Sequence, residues 1–208
     1  MSTDFTSLKI VNVVLTARLQ LNNNDVCVDF DMNKIAETIA DDASVEYYPK
    51  KFAALKLCRP SPFAKALFFR SGKIVCVGNR SEAGGHEAIE WFCRRIAATA
   101  ANCEYQINDV TVQNIVATTM LKNRNMRFKL DRAARIFPKH TQYEPELFPG
   151  CAFRFGESWK QVVNVFTSGK LVMTGVKNSA ELIILGRMFF SLLAPKMPEL
   201  ILSVEIFS

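Results

Sequence analysis

The 208-residue sequence has few of the residues that build metal sites or membrane segments. It contains only two histidines, His86 and His140, and none of its six cysteines forms a C-x-x-C pair, so no metal site is expected. No apolar run approaches the roughly 20 residues of a membrane span, and the start MSTDFTSLKI does not resemble a signal peptide. The cysteines are therefore expected to be reduced intracellular thiols, mostly packed in the core.

The sequence also lacks the residue patterns of catalysis. We find no nucleophile beside a base and no paired acid and base, and Gly84-Gly85 is too short for a phosphate-binding loop. An enzyme is the main rival class of function, but no motif supports it. We therefore predict a protein that is not an enzyme and has no cofactor.

The residues that are present indicate a globular, mildly basic protein. Hydrophobic residues make up 49% of the chain, enough for a core, while charged residues reach only 22%. Lys and Arg outnumber Asp and Glu by 26 to 20, giving a net charge of +6. This balance favours a phosphate-bearing partner without requiring one.

The chain contains an internal repeat. Three pairs of blocks match in the same order: YYPKKF (47–52) with YEPELF (143–148), FRSGKIVCVG (69–78) with FTSGKLVMTG (166–175), and NVVLT (12–16) with NIVAT (114–118). The last pair is spaced more widely than the others, which predicts extra residues in the first half around 22–28. Two merely similar β-hairpins are the alternative explanation, but three ordered matches favour a true repeat.

Each half reads as a strand, a short helix, several strands and a long helix. The expected elements are a strand at 10–16, a helix capped by Asp31, strands at 52–57, 65–69 and 73–77, a helix at 81–100, and in the second half a helix capped by Asn178 or Ser179 and running to 192. Hairpin connections with few helices predict an α+β fold, an antiparallel sheet with helices on one face. The opposite face of that sheet is then bare and must meet a partner.

The alternation of side chains suggests what that partner is. Each of two equivalent stretches, 67–77 and 164–174, places an aromatic residue, a lysine and small apolar or hydroxyl residues on one face. This mixture suits the DNA minor groove, where A·T pairs offer only acceptors and G·C pairs add a protruding amino group. Asn12 and Asn114, at equivalent places, are candidates to donate to adenine N3 or thymine O2.

These motifs together resemble the TATA-box-binding protein family. YEPELFPG at 143–150 and both F-x-S-G-K blocks carry the resemblance, which extends from about residue 9 to about residue 193. It implies a saddle built from a twofold repeat, a curved antiparallel ten-stranded sheet with four helices on its convex face. We expect repeats at 9–104 and 105–194, followed by a C-terminal extension at 195–208.

The resemblance also implies a role for individual residues. TATA-binding proteins are a standard example of proteins that insert apolar side chains between base steps and kink the duplex. The implied intercalating residues are Phe52, Phe69, Phe148 and Phe166. The implied base contacts are Asn12, Val14, Leu67, Val75, Val77, Asn114, Val116, Val172 and Thr174. The implied phosphate contacts are Lys51, Arg59, Lys73, Arg154 and Lys170. Glu144, Glu146 and Leu147 are expected to contact transcription factor IIB, and Glu46 to contact transcription factor IIA.

Several residues depart from the family pattern. Val77 stands where a threonine is usual, Asn164 stands at an apolar groove position, and Cys58 aligns with an arginine that is here shifted to Arg59. The 81–100 helix is less basic than usual, which disfavours partner contacts through that surface. The apolar residues of the 195–208 tail are expected to pack on the body of the protein, with strand pairing or partner docking as alternatives.

The function implied is that of a general transcription initiation factor in the nucleus. It would bind and bend A·T-rich promoter DNA and recruit factors IIB and IIA, TBP-associated factors and RNA polymerase. The free protein is a candidate homodimer through its bare face, and no membrane partner is expected. One alternative is a related scaffold at TATA-less promoters with weak or relaxed sequence preference. Another is RNA binding by the sheet aromatics, which the separated positions of the phenylalanines disfavour.

Overall fold

The computed structural model describes residues 5–23, 26–39, 44–100, 103–123, 125–156 and 158–203. The chain divides into two compact units, Asn12–Gln113, and Met1–Val11 together with Asn114–Ser208. In each unit an antiparallel sheet is covered by helices, so the predicted α+β class is confirmed. No helix among the described residues is both long and apolar enough to cross a membrane.

The described residues of the first unit form six strands and two helices. They are β1 (Lys9–Asn23), β2 (Val26–Val28), α1 (Met32–Ile39), β3 (Ser44–Glu46), β4 (Leu55–Arg59), β5 (Ala64–Phe68), β6 (Lys73–Asn79) and α2 (Glu82–Ala97). The sheet order is β3-β4-β5-β6-β1, and all neighbours are antiparallel. Helix α2 packs on β5 and β6 through Ile89, Phe92 and Ile96, all fully buried.

The extra residues predicted around 22–28 form a small hairpin. Strand β1 runs on to Asn23, well past the predicted end at residue 16, and β2 pairs back on it with Leu21 opposite Val28. This strand is additional to the five that each unit contributes to the predicted ten. Strand β2 therefore lies within the stretch predicted to be extra, while the position of the surplus itself stays a prediction.

The second unit repeats the same order of elements. They are β7 (Glu104–Met120), which enters this unit at Asn114, then β8 (Met126–Phe128), α3 (Leu130–Ile136), β9 (Thr141–Gln142), β10 (Gly150–Phe155), β11 (Gln161–Phe166), β12 (Lys170–Val176) and α4 (Ser179–Leu193). The sheet order is β7-β12-β11-β10-β9, again antiparallel throughout. Phe153 and Phe189 pack edge to face in its core, with ring centroids 5.3 Å apart.

Side chains cap the helices largely where the sequence indicates. The Asp31 carboxylate accepts hydrogen bonds from the backbone N–H groups of Asn33 and Lys34 at the start of α1, both at 3.1 Å. Asn178 rather than Ser179 caps α4, because its side-chain oxygen accepts from the Glu181 N–H at 2.8 Å. These bonds satisfy N–H groups that a helix cannot pair internally.

The C-terminal tail combines the predicted packing on the body with the alternative of strand pairing. After α4 come a 3₁₀ turn (Ala194–Lys196), α5 (Met197–Leu200) and β13 (Ile201–Ser203), which pairs with β8. The Leu200 side chain is fully buried, and its carbonyl accepts from the Lys129 N–H at 2.8 Å. Hydrogen bonds from Lys196 and Arg132 hold the pKa of the Glu199 carboxyl below its usual value. Val204, Ile206 and Phe207 lie outside the described residues.

Three of the cysteines are core residues. Cys76, Cys93 and Cys151 are fully buried. Burial raises the pKa of the Cys93 and Cys151 thiols to about 12, so both remain protonated and act as small apolar groups. The side chain of Cys27 lies outside the described residues.

Candidate nucleic-acid interface

In each unit the sheet has one buried face and one open face. In β12, Leu171 and Met173 are buried against the helices, while Lys170, Val172 and Thr174 alternate with them on the other side. Strand β5 shows the same pattern. The open face consists of Val14, Lys56, Lys65, Leu67, Lys73, Val75 and Val77 in the first unit, and of Val116, Ala152, Arg154, Val162, Asn164, Lys170, Val172 and Thr174 in the second. Its apolar residues are half-buried, and none of the helices that the structure describes covers them.

Each unit has a pair of phenylalanine rings beside its own open face. The rings of Phe52 and Phe69 lie 6.3 Å apart at 66°, and those of Phe148 and Phe166 lie 5.7 Å apart at 68°. Phe52 and Phe148 are 42% and 41% exposed, in contrast to the fully buried Phe68. Large aromatic side chains at this exposure offer an apolar surface to a partner.

The same backbone turn positions the first ring of each pair. The Phe52 N–H donates to the Tyr48 carbonyl at 2.9 Å, and the Phe148 N–H donates to the Glu144 carbonyl at 3.0 Å. In the first unit this turn spans residues 48–52 and is followed by a bend at 53–54. Residues 52–54, which are predicted to be strand, therefore lie outside β4, which begins only at Leu55. The repeated Y-x-P-x-x-F block is thus a ring-positioning turn.

Glycine turns position the second ring of each pair. Gly72 and Gly169 have φ values of +79° and +77°, and their N–H groups donate to the carbonyls of Phe69 and Phe166 at 2.9 and 2.8 Å. Side chains other than glycine rarely adopt this backbone conformation. The repeated F-x-S-G-K block therefore fixes where each phenylalanine leaves its strand.

The absence of a side chain at Gly150 leaves space for the rings of Phe148 and Phe166. A Cβ atom at Gly150 would lie 2.7 Å from Cε1 of Phe148 and 3.1 Å from Cε1 of Phe166. Gly150→Ala is therefore expected to push the exposed Phe148 ring out of place and to weaken DNA binding about tenfold, since the wedge must enter a base step. Fluorescence anisotropy with an A·T-rich duplex measures this effect.

Gly186→Ala is the matched control, because a Cβ at that helical position meets nothing within 4 Å. It should leave DNA binding unchanged. Equal affinities for both variants and the parent would contradict a role for the Phe148–Phe166 geometry.

The two asparagines predicted to read bases are held by equivalent backbone irregularities. The strand register shifts between Val13 and Leu15, and again between Met173 and Val176. At these points the N–H of Gly78 donates to Oδ1 of Asn12 at 2.8 Å, and the N–H of Gly175 donates to Oδ1 of Asn114 at 2.9 Å. Because each amide oxygen accepts a backbone N–H, the donors that remain are the Asn12 amide nitrogen and the second N–H of the Asn114 amide, whose first N–H donates to Thr174.

The two asparagine sites differ in one neighbour. In the second unit, Asn114 Nδ2 lies 3.0 Å from the Thr174 hydroxyl, which orients the amide further. In the first unit the equivalent residue is Val77, which has no hydroxyl. The predicted loss of one hydroxyl contact at Val77 therefore also leaves the Asn12 amide with one fewer protein partner.

Basic side chains line the open face and its margin. Lys51, Lys73 and Lys170 are exposed, and the half-buried Arg154 donates to Gln142 Oε1 at 3.0 Å. Sequence reasoning missed Lys56 and Lys65, which alternate with buried residues of β4 and β5 and so lie on the open face. Applying period two to those strands would have found both residues.

Arg59 is a correction to the predicted phosphate contacts. Its side chain is 5% exposed and faces helix α2, where it pairs with Glu87 at 3.2 Å. Its Nε donates to the Pro62 carbonyl at 2.9 Å, and its guanidinium lies 5.7 Å from the Trp91 ring centroid. Arg59 follows Leu55 and Leu57 on the buried side of β4, so it cannot reach a phosphate on the open face.

Arg59→Ala is consequently expected to affect stability. Losing the bond to Pro62, the pair with Glu87 and the packing on Trp91 should lower the free energy of unfolding by about 2 kcal/mol. Urea denaturation measures this loss. The salt dependence of DNA binding should stay unchanged, whereas a phosphate contact would lower its slope by about one.

The residues predicted to bind partners are accessible. Glu144, Glu146 and Leu147 lie in the loop before β10, and Leu147 is 81% exposed. Glu46 ends the edge strand β3 and forms an exposed ion pair with Lys56 at 3.3 Å.

Comparison with known proteins agrees with this geometry. The family model described as "Transcription factor TFIID (or TATA-binding protein, TBP)" matches residues 7–99 and 109–195. The chain is 38% identical over 172 residues to TATA-box-binding protein 3 of Methanosarcina mazei, covering 82% of this chain and 86% of that protein. It is 36% identical over 163 residues to the TATA-box-binding protein of Candida albicans, covering 78% and 66%.

A solved structure confirms the predicted fold. Methanococcus jannaschii TBP matches with a TM-score of 0.69 and 30% identity, over 89% of this chain and 97% of that one. The two matched segments overlap the predicted repeats at 9–104 and 105–194, whose bounds stay a prediction. The chain belongs to the TATA-binding protein family, a family of DNA-binding transcription factors and not of enzymes.

Proposed function

We propose that the open face binds the minor groove of A·T-rich promoter DNA and that the two phenylalanine pairs bend it. The observation that carries this proposal is the pair of half-exposed ring clusters, one in each unit, beside an uncovered apolar face. Insertion of the rings unstacks base steps, which costs a few kcal/mol per step and is offset by the groove surface that a bent duplex buries.

The open face has the chemistry for A·T selection. Val14, Val75, Val116 and Val172 offer smooth apolar contacts, with no acceptor for a guanine amino group. The amide nitrogens of Asn12 and Asn114 donate to adenine N3 and thymine O2, which are acceptors in both A·T and T·A pairs. Leu67, Val77 and Thr174 complete the set of base contacts.

The cations supply affinity that is independent of sequence. Lys51, Lys73, Lys170 and Arg154 contact phosphates from the margin of the face, and Lys56 and Lys65 join them in place of Arg59. Neutralised phosphates release counterions, so affinity falls steeply with salt. The encounter is electrostatic, and ring insertion follows.

The bound protein then recruits other factors. We assign the exposed loop containing Glu144, Glu146 and Leu147 to transcription factor IIB, and the edge residue Glu46 to transcription factor IIA. TBP-associated factors and RNA polymerase follow on the assembled complex. Glu146→Arg should abolish the ternary gel shift with factor IIB and leave DNA binding intact, while Glu37→Arg on helix α1 serves as the exposed control.

A cellular location and a dimer of the free protein are also proposed. A nuclear location is proposed for a eukaryotic host, supported by the similarity to the Candida albicans protein. The free protein is proposed to cover its open face by pairing with a second copy, which DNA displaces. The alternative of a scaffold at TATA-less promoters with weak DNA affinity is disfavoured by the presence of all four phenylalanines.

Fluorescence energy transfer across a short end-labelled duplex tests the proposal. Titration with protein should raise transfer on an A·T-rich duplex and leave a G·C-rich duplex of the same length unchanged. Binding without a rise in transfer, or an equal rise on both duplexes, would show that the open face does not bend A·T-rich DNA selectively.

A further inference from the structure

The two units present different side chains at one equivalent place on the open face. Leu67 lies two residues before Phe69, and Asn164 lies two residues before Phe166. Leu67 is flanked in the sheet by Lys56 and Val75, whereas Asn164 is flanked by Ala152 and Val172. A large apolar group in the first unit is thus replaced by an amide in the second.

The Asn164 amide is available to a ligand. Within the part of the chain that the structure describes, its side chain makes no hydrogen bond, unlike that of Asn114. It is half-buried and lines a depression of about 360 Å³ together with Phe148, Ala152, Arg154 and Thr174. The small Ala152 opposite Asn164 contributes to the room beside the amide.

Minor-groove chemistry gives this amide a specific counterpart. A G·C pair differs from an A·T pair there by the guanine N2 amino group, which is a donor. Against Leu67 that group is crowded and loses its hydrogen bonds to water. Against Asn164 it enters the depression and donates to the side-chain oxygen, so the penalty that normally excludes G·C is removed.

We propose that Asn164 makes the second unit accept a G·C pair at one position near the Phe148–Phe166 end of the site, while Leu67 keeps the first unit selective for A·T. This inference rests on the proposed minor-groove function. According to this proposal, Asn164 alone makes the base-pair preference at one end of the bound DNA differ from the preference at the other end. That asymmetry also gives the protein a preferred direction on an otherwise symmetric A·T tract.

The test uses base pairs that differ only in the amino group. An A·T-rich duplex is prepared with a single G·C pair at each position in turn, and with inosine·C at the same positions, since inosine lacks the N2 amino group. Affinities are measured by anisotropy for the parent protein and for Asn164→Leu. At one position the parent should bind G·C at least as tightly as inosine·C, and Asn164→Leu should bind G·C about tenfold more weakly than inosine·C.

Leu67→Asn is the matched converse variant. It should create the same tolerance at a second position, toward the opposite end of the duplex. If the G·C to inosine·C ratio is the same at every position for the parent and Asn164→Leu, the role of Asn164 is overturned while A·T binding stands. If none of the duplexes is bound, including the unmodified A·T duplex, the proposed function itself fails.

Discussion

Replacing both Phe148 and Phe166 by alanine is expected to abolish the rise in energy transfer on an A·T-rich duplex and to weaken binding about 100-fold. Contacts between a base and an aromatic side chain are each worth about 1–3 kcal/mol when the side chain is cut to alanine. The two rings pack on each other with centroids 5.7 Å apart, Phe148 is 41% exposed, and neither ring is among the buried core residues. Their removal therefore takes little from the core.

The control for this double variant replaces Ile183 and Ile184 by alanine. These isoleucines of α4 are 52% and 53% exposed and lie on the helix side of the sheet. That variant should bind and bend DNA like the parent. Bending by the Phe148→Ala, Phe166→Ala variant at the parent level, with both proteins folded by circular dichroism, would rule out ring insertion at this end.

Asn114→Asp is expected to weaken binding to A·T-rich DNA about 100-fold or more while leaving the protein folded. The carboxylate keeps an acceptor for the Gly175 N–H, which now donates to Asn114 Oδ1 at 2.9 Å. It loses the Nδ2 donor and turns a negative oxygen toward groove acceptors and phosphates. Lost pairing and charge repulsion act together, each worth about 1–3 kcal/mol.

Asn33→Asp makes the same chemical change away from the open face. Asn33 lies in the first turn of α1, where a carboxylate is favourable because of the helix dipole. Measuring the DNA affinity of both variants by anisotropy should distinguish the effect of added negative charge from the effect of its position. If Asn33→Asp weakens binding as much as Asn114→Asp does, the loss reflects net charge and the asparagine does not read bases.

The sequence predicts the parts of the site that repetition defines. The four phenylalanines, both asparagines and the glycine turns recur in equivalent blocks. A motif that occurs in both halves is therefore distinguished from a chance match in one half. Caps such as Asp31 and Asn178 are also readable, because they depend on a side chain and N–H groups two or three residues away.

The side of the sheet on which a strand residue lies is harder to predict. Arg59 is predicted to contact a phosphate because it stands beside Cys58, where the family has arginine. A shift of one residue moves a strand side chain to the opposite face, and here it places Arg59 against α2 and leaves Lys56 on the open side. The start of β4 at Leu55, set by the preceding turn, decides this.

Pairings between distant segments are similarly hidden. Strand β13 is stabilised by β8, more than 70 residues earlier in the chain, and by the burial of Leu200. The tail sequence alone showed that it was apolar, not which strand it would meet. Asn164 was visible as an exception, but only its unpaired amide and the depression beside Ala152 suggest a use for it.

The central claim is that this protein reads DNA through the minor groove, and one substitution of base pairs tests it directly. Replacing every A·T pair of the bound duplex by inosine·C keeps the minor groove of A·T while giving the major groove the hydrogen-bonding pattern of G·C. Binding and energy transfer should match those of the A·T duplex, and both should be lost when inosine is replaced by guanine throughout. Loss of binding on the inosine·C duplex, with the A·T duplex still bound, would contradict minor-groove recognition.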